Sequence, residues 1–545
     1  MALFDVSDLA VTLHTGNRAT GRRAVRAVES FSFSVDAGQT LAIVGESGSG
    51  KSISLLAATR LLGTNADVTG TVHFAGSDLL TLPARKLRRV LGKDIGFVFQ
   101  DPQSNLHPFK SIGTQIDEVL RIHGGGTRRS RRARTITLLD EVGIVRPEKA
   151  YDSYPAEFSG GMRQRAMIAI AIANNPALII ADEPTTALDV SVQAGILRLL
   201  TRLQADHRTA IVFVSHDLGV VHEIADTVVV VKDGRVVESG SRDQIYHAPE
   251  QPYTRELLDA SRVHSIDVAP STGRPPAARD AAPLLEVHGL RKSYRERGRQ
   301  GRRRTVVENL DFTLHTGEIV GLVGESGSGK STVGRIIAGL QYADAGEITL
   351  AGTRYPTSVS DGIPRLPAEI RRTVQLVFQD PYSSLNPRRT VAESLAAPLL
   401  AQREPRELIS AQVERAADAA RLPRALMQRH PAELSGGQRQ RVAIARALVL
   451  SPRLIVADEA LSSLDVTTQS QILALIRQLV EEQHTAFLFI THDLGVVSSI
   501  APRVIVLGPD GVEEIGDTAA VFAAPQSSYT RALIDAVPRL ETRVS

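Results

Sequence analysis

The octapeptide GESGSGKS occurs twice, at residues 45–52 and again at 324–331, with no internal difference. Each copy fits the pattern G-x-x-x-x-G-K-[ST]. Each follows an apolar run suited to a buried strand, TLAIVG or EIVGLVG, and leads into a helical run, SISLLAATRLL or STVGRIIAGL. That strand–loop–helix context gives the pattern its meaning. Glycines let successive backbone N–H groups turn inward around a polyphosphate, and the helix behind them adds its positive N-terminal end. Gly45, Ser47, Gly48, Gly50, Lys51 and Ser52, with Gly324, Ser326, Gly327, Gly329, Lys330 and Ser331, are therefore candidate phosphate-binding residues. The two lysines would reach the β- and γ-phosphates, and the two serines would hold Mg²⁺.

The repeat extends well beyond the octapeptide. FVFQDP at 97–102 recurs as LVFQDP at 376–381, 279 positions on, which is also the spacing between the two lysines. Further along the offset is 276, for FSGGMRQR and LSGGQRQR, for ADEPTTALD and ADEALSSLD, and for VSHDLGVV and ITHDLGVV. One three-residue indel thus separates two complete copies. A domain over 1–262 and a second over 284–545 are expected, joined by the Pro- and Ala-rich linker 263–283. Buried strands alternating with helices point to an α/β class with a mostly parallel sheet in each copy. The segment between Pro102 and Phe158 has a helical pattern and is expected to form a separate helical lobe.

Composition narrows the chemistry. The chain has 545 residues, 43% hydrophobic and 23% charged, with a net charge of +3, so each copy has material for a core and nothing global calls for nucleic acid. It has no cysteine, which removes disulfides, thiolate metal sites, iron–sulfur clusters and cysteine nucleophiles. No apolar run approaches the length of about 18 residues needed to cross a bilayer, and a cytoplasmic protein is expected.

A bound polyphosphate needs a metal-linked carboxylate and a group that activates water. Asp182 and Glu183 end the run LIIADE, and Asp458 and Glu459 end LIVADE, where a strand delivers acids to the edge of a sheet. The Asp of each pair would bind Mg²⁺ and the Glu would act as base. Paired acids after a strand are often only a solvated strand end; recurrence behind a phosphate loop in both copies favours the functional reading. His216 and His492 end another apolar strand.

Taken together, these residues resemble the ATP-binding subunits of ABC transporters, fused here as a pair. LSGGQRQR beside a phosphate loop is that family's signature, and the resemblance covers nearly the whole chain. It implies two tandem P-loop ATPase domains, each a mostly parallel sheet core with an antiparallel β subdomain and a helical subdomain. It also implies two composite head-to-tail sites, the signature of one half closing over the nucleotide of the other. The first would combine Lys51, Ser52, Gln100, Asp182, Glu183 and His216 with Ser435, Gly436 and Gly437. The second would combine Lys330, Ser331, Gln379, Asp458, Glu459 and His492 with Ser159, Gly160 and Gly161. By the same resemblance Gln100 and Gln379 sense metal and water, the two histidines contact the γ-phosphate, and Asp189 and Asp465 couple the sites. ATP and Mg²⁺ are the implied ligands. An aromatic ring on an early strand commonly stacks on adenine in this family; Tyr294 holds that place in the second half and Leu13 in the first.

The segments QDPYSSLNP, QPYTRELL at 251–258 and SSYTRALI at 527–534 resemble the peptide and nickel import branch. That branch implies two membrane-spanning permease subunits, an extracytoplasmic substrate-binding protein, and a peripheral position on the cytoplasmic face of the cell membrane. Peptides are the leading substrate, with nickel or a metal chelate second and glutathione-like compounds third. The first copy departs from the pattern at Asn105 and His107, and the cysteine-rich tail carried by some members is absent. Two rivals are disfavoured. Ribosome-associated factors of the superfamily join their halves by a long charged helical hairpin, unlike 263–283, and duplicated DNA-repair ATPases need cysteine zinc sites. Two basic clusters remain, at 128–134 and 295–304. The first is expected to be a solvated helix face, with contact to anionic lipid as the alternative, and the second an exposed hairpin loop; no nucleic-acid partner is expected.

Overall fold

The computed structural model describes residues 2–15, 23–186, 188–262, 266, 282–295, 303–355, 366–462 and 464–538. They form two compact units, one from each half of the chain. The expected linker 263–283 lies outside the described residues except for Ile266, Ala282 and Pro283, as do residues 296–302 of the second basic cluster.

In the first unit the strands are β1 (Phe4–Thr15), β2 (Arg23–Val35), β3 (Thr40–Val44), β4 (Ala66–Phe74), β5 (Ser77–Asp78), β6 (Ile95–Val98), β7 (Leu178–Asp182), β8 (Ala210–Val214), β9 (Thr227–Lys232) and β10 (Arg235–Ser241). Their spatial order is β5-β4-β1-β2-β10-β9-β3-β8-β7-β6. Strands β9, β3, β8, β7 and β6 pair in parallel, whereas β4, β1 and β2 are antiparallel. In the second unit β11 (Leu285–Arg295), β12 (Arg303–Leu314), β14 (Ala345–Leu350) and β15 (Thr353–Tyr355) form an antiparallel sheet ordered β12-β11-β14-β15. Its core sheet is β16 (Val374–Val377), β17 (Leu454–Asp458), β18 (Ala486–Ile490), β13 (Ile319–Val323), β19 (Arg503–Gly508) and β20 (Gly511–Asp517), in that order.

The central strands are apolar throughout because both faces are covered, as a parallel sheet requires. The two-residue period still shows. Ala42 and Val44 of β3 pack into a cluster with Ile179, Ala181, Ile211 and Phe213, while Leu41 and Ile43 pack on the other face with Leu178, Ile180, Val212 and Phe31. The second unit repeats this, with Ile455, Ala457, Phe487 and Phe489 on one face and Val320, Leu322, Val456 and Leu488 on the other.

The helical lobe is present in both units. In the first it contains helices Ile112–His123, Arg128–Glu141 and Pro147–Asp152, the first two capped by Ser111 and Thr127. In the second it contains Val391–Ala401, started by a Thr390/Glu393 capping box, and Arg406–Ala419. The 128–134 basic cluster occupies the start of helix Arg128–Glu141, where cations oppose the helix dipole. Local acids offset part of that charge: Arg132 bonds Asp152 at 3.3 Å, and Arg134 bonds Glu141 at 2.7 Å. Arg132 also lies 4.0 Å from the Tyr151 ring centroid. Among the described residues, no helix is long and apolar enough to cross a membrane.

Candidate functional site

Because β3, β7 and β8 run parallel, their C-terminal ends bring three segments to one edge of the sheet. The phosphate loop follows β3, Asp182 closes β7 with Glu183 next, and His216 stands two residues beyond β8. The second unit does the same with β13, β17 and β18.

Both loops depend on backbone that only glycine supplies cheaply. Gly45 has φ +150°, and a Cβ there would sit 2.1 Å from the Val231 carbonyl oxygen; at Gly50, φ +99°, it would meet the Ala27 carbonyl at 2.9 Å. Gly324 and Gly329 are constrained alike, by Leu507 and Val306 at 2.0 and 2.4 Å. Gly50 and Gly329 are the N-cap residues of helices Lys51–Ala58 and Lys330–Ile337. At the apex Ser47, Gly48, Ser326 and Gly327 are exposed. The buried Lys51 Nζ donates to the Gly45 and Glu46 carbonyls, both at 2.7 Å, and Lys330 Nζ donates to Gly324 and Glu325 at 2.7 and 2.9 Å.

Ser52 Oγ donates to Asp182 Oδ1 at 2.9 Å, and Ser331 Oγ to Asp458 Oδ1 at 2.7 Å. Gln100 Nε2 donates to Glu183 Oε2 at 2.9 Å, and Gln379 Nε2 to Glu459 Oε2 at 2.6 Å. His216 and His492 each place Nδ1 3.5 Å from the carboxylate of their Glu. Both glutamates have left-handed backbone, φ 46° and 47°, rare for a residue with a side chain and costly unless the surroundings hold it. Here the N–H of each is tied to the neighbouring strand, Glu183 to the Val214 carbonyl and Glu459 to Ile490.

The acids of each pair are pushed apart. Burial pushes the Asp182 carboxyl up to about 6, against the Ser52 hydrogen bond; Asp458 is raised for the same reason. Burial would raise Glu183 too, but the His216 hydrogen bond and the His216 and Lys51 charges outweigh it and bring it to about 2. Glu459 is lowered in the same way by His492 and Lys330. For His492 burial acts downward, yet the bond to Glu459 leaves it raised. Each site thus has one carboxyl that is reluctant to ionise alone and one held ionised. The donor set, a serine hydroxyl, a buried aspartate and the carbonyl oxygen of Gln100 or Gln379, consists of hard oxygens and fits Mg²⁺.

The signature residues occupy a different place. Ser159 caps helix Gly160–Ile172 by accepting from Met162 N, and Ser435 caps Gly436–Leu448 by accepting from Gln438 N. A Cβ on Gly161 would lie 2.6 Å from Val192 Cγ1, and one on Gly437 2.5 Å from Thr468 Cγ2, whereas Gly160 and Gly436 are less crowded. Asp465 caps helix Val466–Gln483, and Asp189 immediately precedes helix Val190–His207.

Tyr294 is joined to the helix behind the second phosphate loop: its hydroxyl lies 3.1 Å from Thr332 Oγ1 and accepts from Gln341 Nε2. Leu13 instead packs half-buried against the first unit's apolar cluster, with Ile53 and Leu62. His14 is paired with Asp67 at 2.7 Å.

Two pairs of contacts escape a reading by motif. Thr186 Oγ1 donates to Glu183 Oε2 at 3.0 Å, while the corresponding Ser462 bonds the Glu459 backbone carbonyl. In addition, Tyr253 and Tyr529, from the paired Tyr-Thr segments, reach the phosphate loops through their hydroxyls. The signal for the tyrosines was present as a repeat 276 positions apart, but no local pattern says what they touch.

Comparison with known proteins agrees with this geometry. The family described as ABC transporter matches residues 28–186 and 307–462, and the oligopeptide/dipeptide transporter C-terminal region matches 237–284 and 513–545. The chain is 42% identical over 550 residues to the peptidoglycan transport ATP-binding protein YejF of Agrobacterium fabrum, covering 99% of this chain and 97% of that one. It is 42% identical over 554 residues to the glutathione import ATP-binding protein GsiA of Escherichia coli O157:H7, covering 95% and 88%. The GsiA of Shigella boydii is 41% identical over 550 residues, with the same coverage. With a complete phosphate-loop, glutamine, acid-pair and histidine set in each half, the chain belongs to the ABC transporter family as an ATP-binding protein with two tandem ATPase domains.

Proposed function

We propose that this chain is the ATP-hydrolysing subunit of a membrane importer for di- and oligopeptides, seated on two permease subunits at the cytoplasmic face of the membrane and served by an extracytoplasmic binding protein. The observation that carries this reading is the pairing of an intact ATPase set in both halves with a peptide-transporter C-terminal region after each. Import of glutathione-like compounds is the second reading, favoured by the GsiA relatives.

In this reading ATP lies on each phosphate loop. Lys51 and Lys330 hold the β- and γ-phosphates by charge. Ser52, Asp182 and Gln100, and Ser331, Asp458 and Gln379, would hold Mg²⁺, which when bound neutralises phosphate charge. Glu183 and Glu459, kept ionised by the histidine beside them, orient the attacking water and accept its proton. His216 and His492 fix those carboxylates and face the γ-phosphate.

Reconstitution tests the assignment. With its permeases and binding protein in lipid vesicles, ATP hydrolysis should rise above that of the isolated chain and rise again with a loaded binding protein. Stimulation by short peptides rather than glutathione selects the first substrate class. Equal hydrolysis with and without the permeases would overturn the importer assignment.

A further inference from the structure

The Tyr-Thr segments have work inside each ATPase unit. Tyr253 is the second residue of helix Pro252–Ser261, and Tyr529 the second of helix Ser528–Asp535. In both units the phenol oxygen accepts the N–H of the second residue of the phosphate loop: Glu46 N lies 3.3 Å from Tyr253 Oη and Glu325 N lies 3.1 Å from Tyr529 Oη. The carbonyl of that same residue receives the loop lysine, Glu46 from Lys51 Nζ at 2.7 Å and Glu325 from Lys330 Nζ at 2.9 Å. One residue is therefore held at its N–H by a phenol and carries the phosphate-binding ammonium at its carbonyl.

The tyrosines are themselves held in place. Glu238 of β10 accepts from Glu250 N at 2.8 Å, Gln251 N at 3.1 Å and the Thr254 hydroxyl, so the turn into the helix is tied to the sheet. Glu514 of β20 does the same for Gln526 N and Ser527 N, at 3.1 and 3.4 Å. Lys232 Nζ sits 4.3 Å from the Tyr253 ring centroid; the corresponding position in the second unit is Gly508, which has no side chain to repeat that brace. The neighbours differ, PYTREL against SYTRAL, yet the phenol-to-loop bond recurs. Burial pushes the Tyr529 hydroxyl up to about 12, so it stays neutral and keeps accepting.

We infer that Tyr253 and Tyr529 are positioning residues for the nucleotide phosphates, each setting the Glu46 or Glu325 peptide and through it the lysine. The inference rests on the reading that these loops take MgATP. The C-terminal region matched in each half thereby becomes part of the ATP site's support rather than a separate appendage.

The test uses the full chain with MgATP, comparing the parent with Tyr253→Phe, Tyr529→Phe and the double variant. Phenylalanine keeps the ring and removes the oxygen. The KM of the double variant should rise about threefold to tenfold, the range expected for one lost hydrogen bond per site, with kcat within about twofold. The melting midpoint of each Phe variant should fall by less than that of the leucine controls that follow. Leu257→Ala and Leu533→Ala serve as controls: each removes a buried side chain four residues along the same helix and leaves the phenol. They should lower the melting midpoint and leave KM unchanged. Parental KM in both Phe variants, or leucine controls that raise KM equally, would overturn the inference. A parent chain that binds no MgATP would overturn the ATP reading itself, a result separable from the other two.

Discussion

Replacing Tyr294 with leucine should weaken nucleotide binding at the Lys330 loop and bring it close to that of the Lys51 loop. The ring is 41% exposed, and its hydroxyl is tied to Thr332 at 3.1 Å and to Gln341, so its face is already oriented before a base arrives. Base–aromatic stacking is worth about 1–3 kcal/mol by truncation in single-strand binders. Leucine keeps some apolar contact, so the lower end applies, about 1 kcal/mol, which is roughly fivefold in affinity. In the first half Leu13, Ile53 and Leu62 stand where Tyr294, Thr332 and Gln341 stand in the second, and all three pack half-buried on an apolar cluster. A tyrosine placed at Leu13 therefore finds no hydroxyl or amide side chain at positions 53 and 62 to hold its oxygen. Leu13→Tyr alone should recover less than the full gain, and Leu13→Tyr with Ile53→Thr should recover more. The assay is a site-resolved MgATP titration of the full chain, with the other site silenced by Lys51→Met or Lys330→Met. Equal affinities in the parent, with no response to Tyr294→Leu, would refute the reasoning.

Glu183→Gln and Glu459→Gln should each keep MgATP binding while lowering turnover at that site by about 10²- to 10⁴-fold, the usual worth of a positioned base; phosphate release from the assembled complex checks it, and full-rate hydrolysis by either variant would contradict the assignment. Asp182→Asn should raise the melting midpoint of the nucleotide-free chain at neutral pH. The folded carboxyl titrates at about 6 instead of 3.8, so its ionised form costs stability above that value, and the cost disappears as pH falls through 6 toward 3.8. Thermal melts across this range should show the variant's advantage shrinking with acid, and an advantage that persists there would be the wrong result. Gly45→Ala should destabilise the first unit by at least about 2 kcal/mol, since its Cβ would meet the fixed Val231 carbonyl at 2.1 Å, whereas a Cβ on Gly48 meets nothing within 4 Å and should cost less. Melting midpoints of the two variants decide between them.

Much of this protein could be read from its residues in order. The loops, acid pairs and histidines are local patterns at strand ends, and a parallel sheet places strand ends together whatever lies between. Duplication was visible as two constant offsets, and the apolar runs were legible as strands because burial on both faces removes polar alternation. What the order of residues does not carry is contact between segments far apart in the chain. That Glu183 is left-handed and held ionised depends on the Val214 carbonyl and on His216, neither of them beside it in the chain. Nor could the meaning of the Tyr-Thr repeat be read locally, since Tyr253 meets Glu46 across 207 positions and Tyr529 meets Glu325 across 204. Motifs record which chemistry is present, because one residue type can perform it. The packing of distant segments decided how each group is oriented and charged, because hydrogen bonds and burial depend on distance in space and not on distance along the chain.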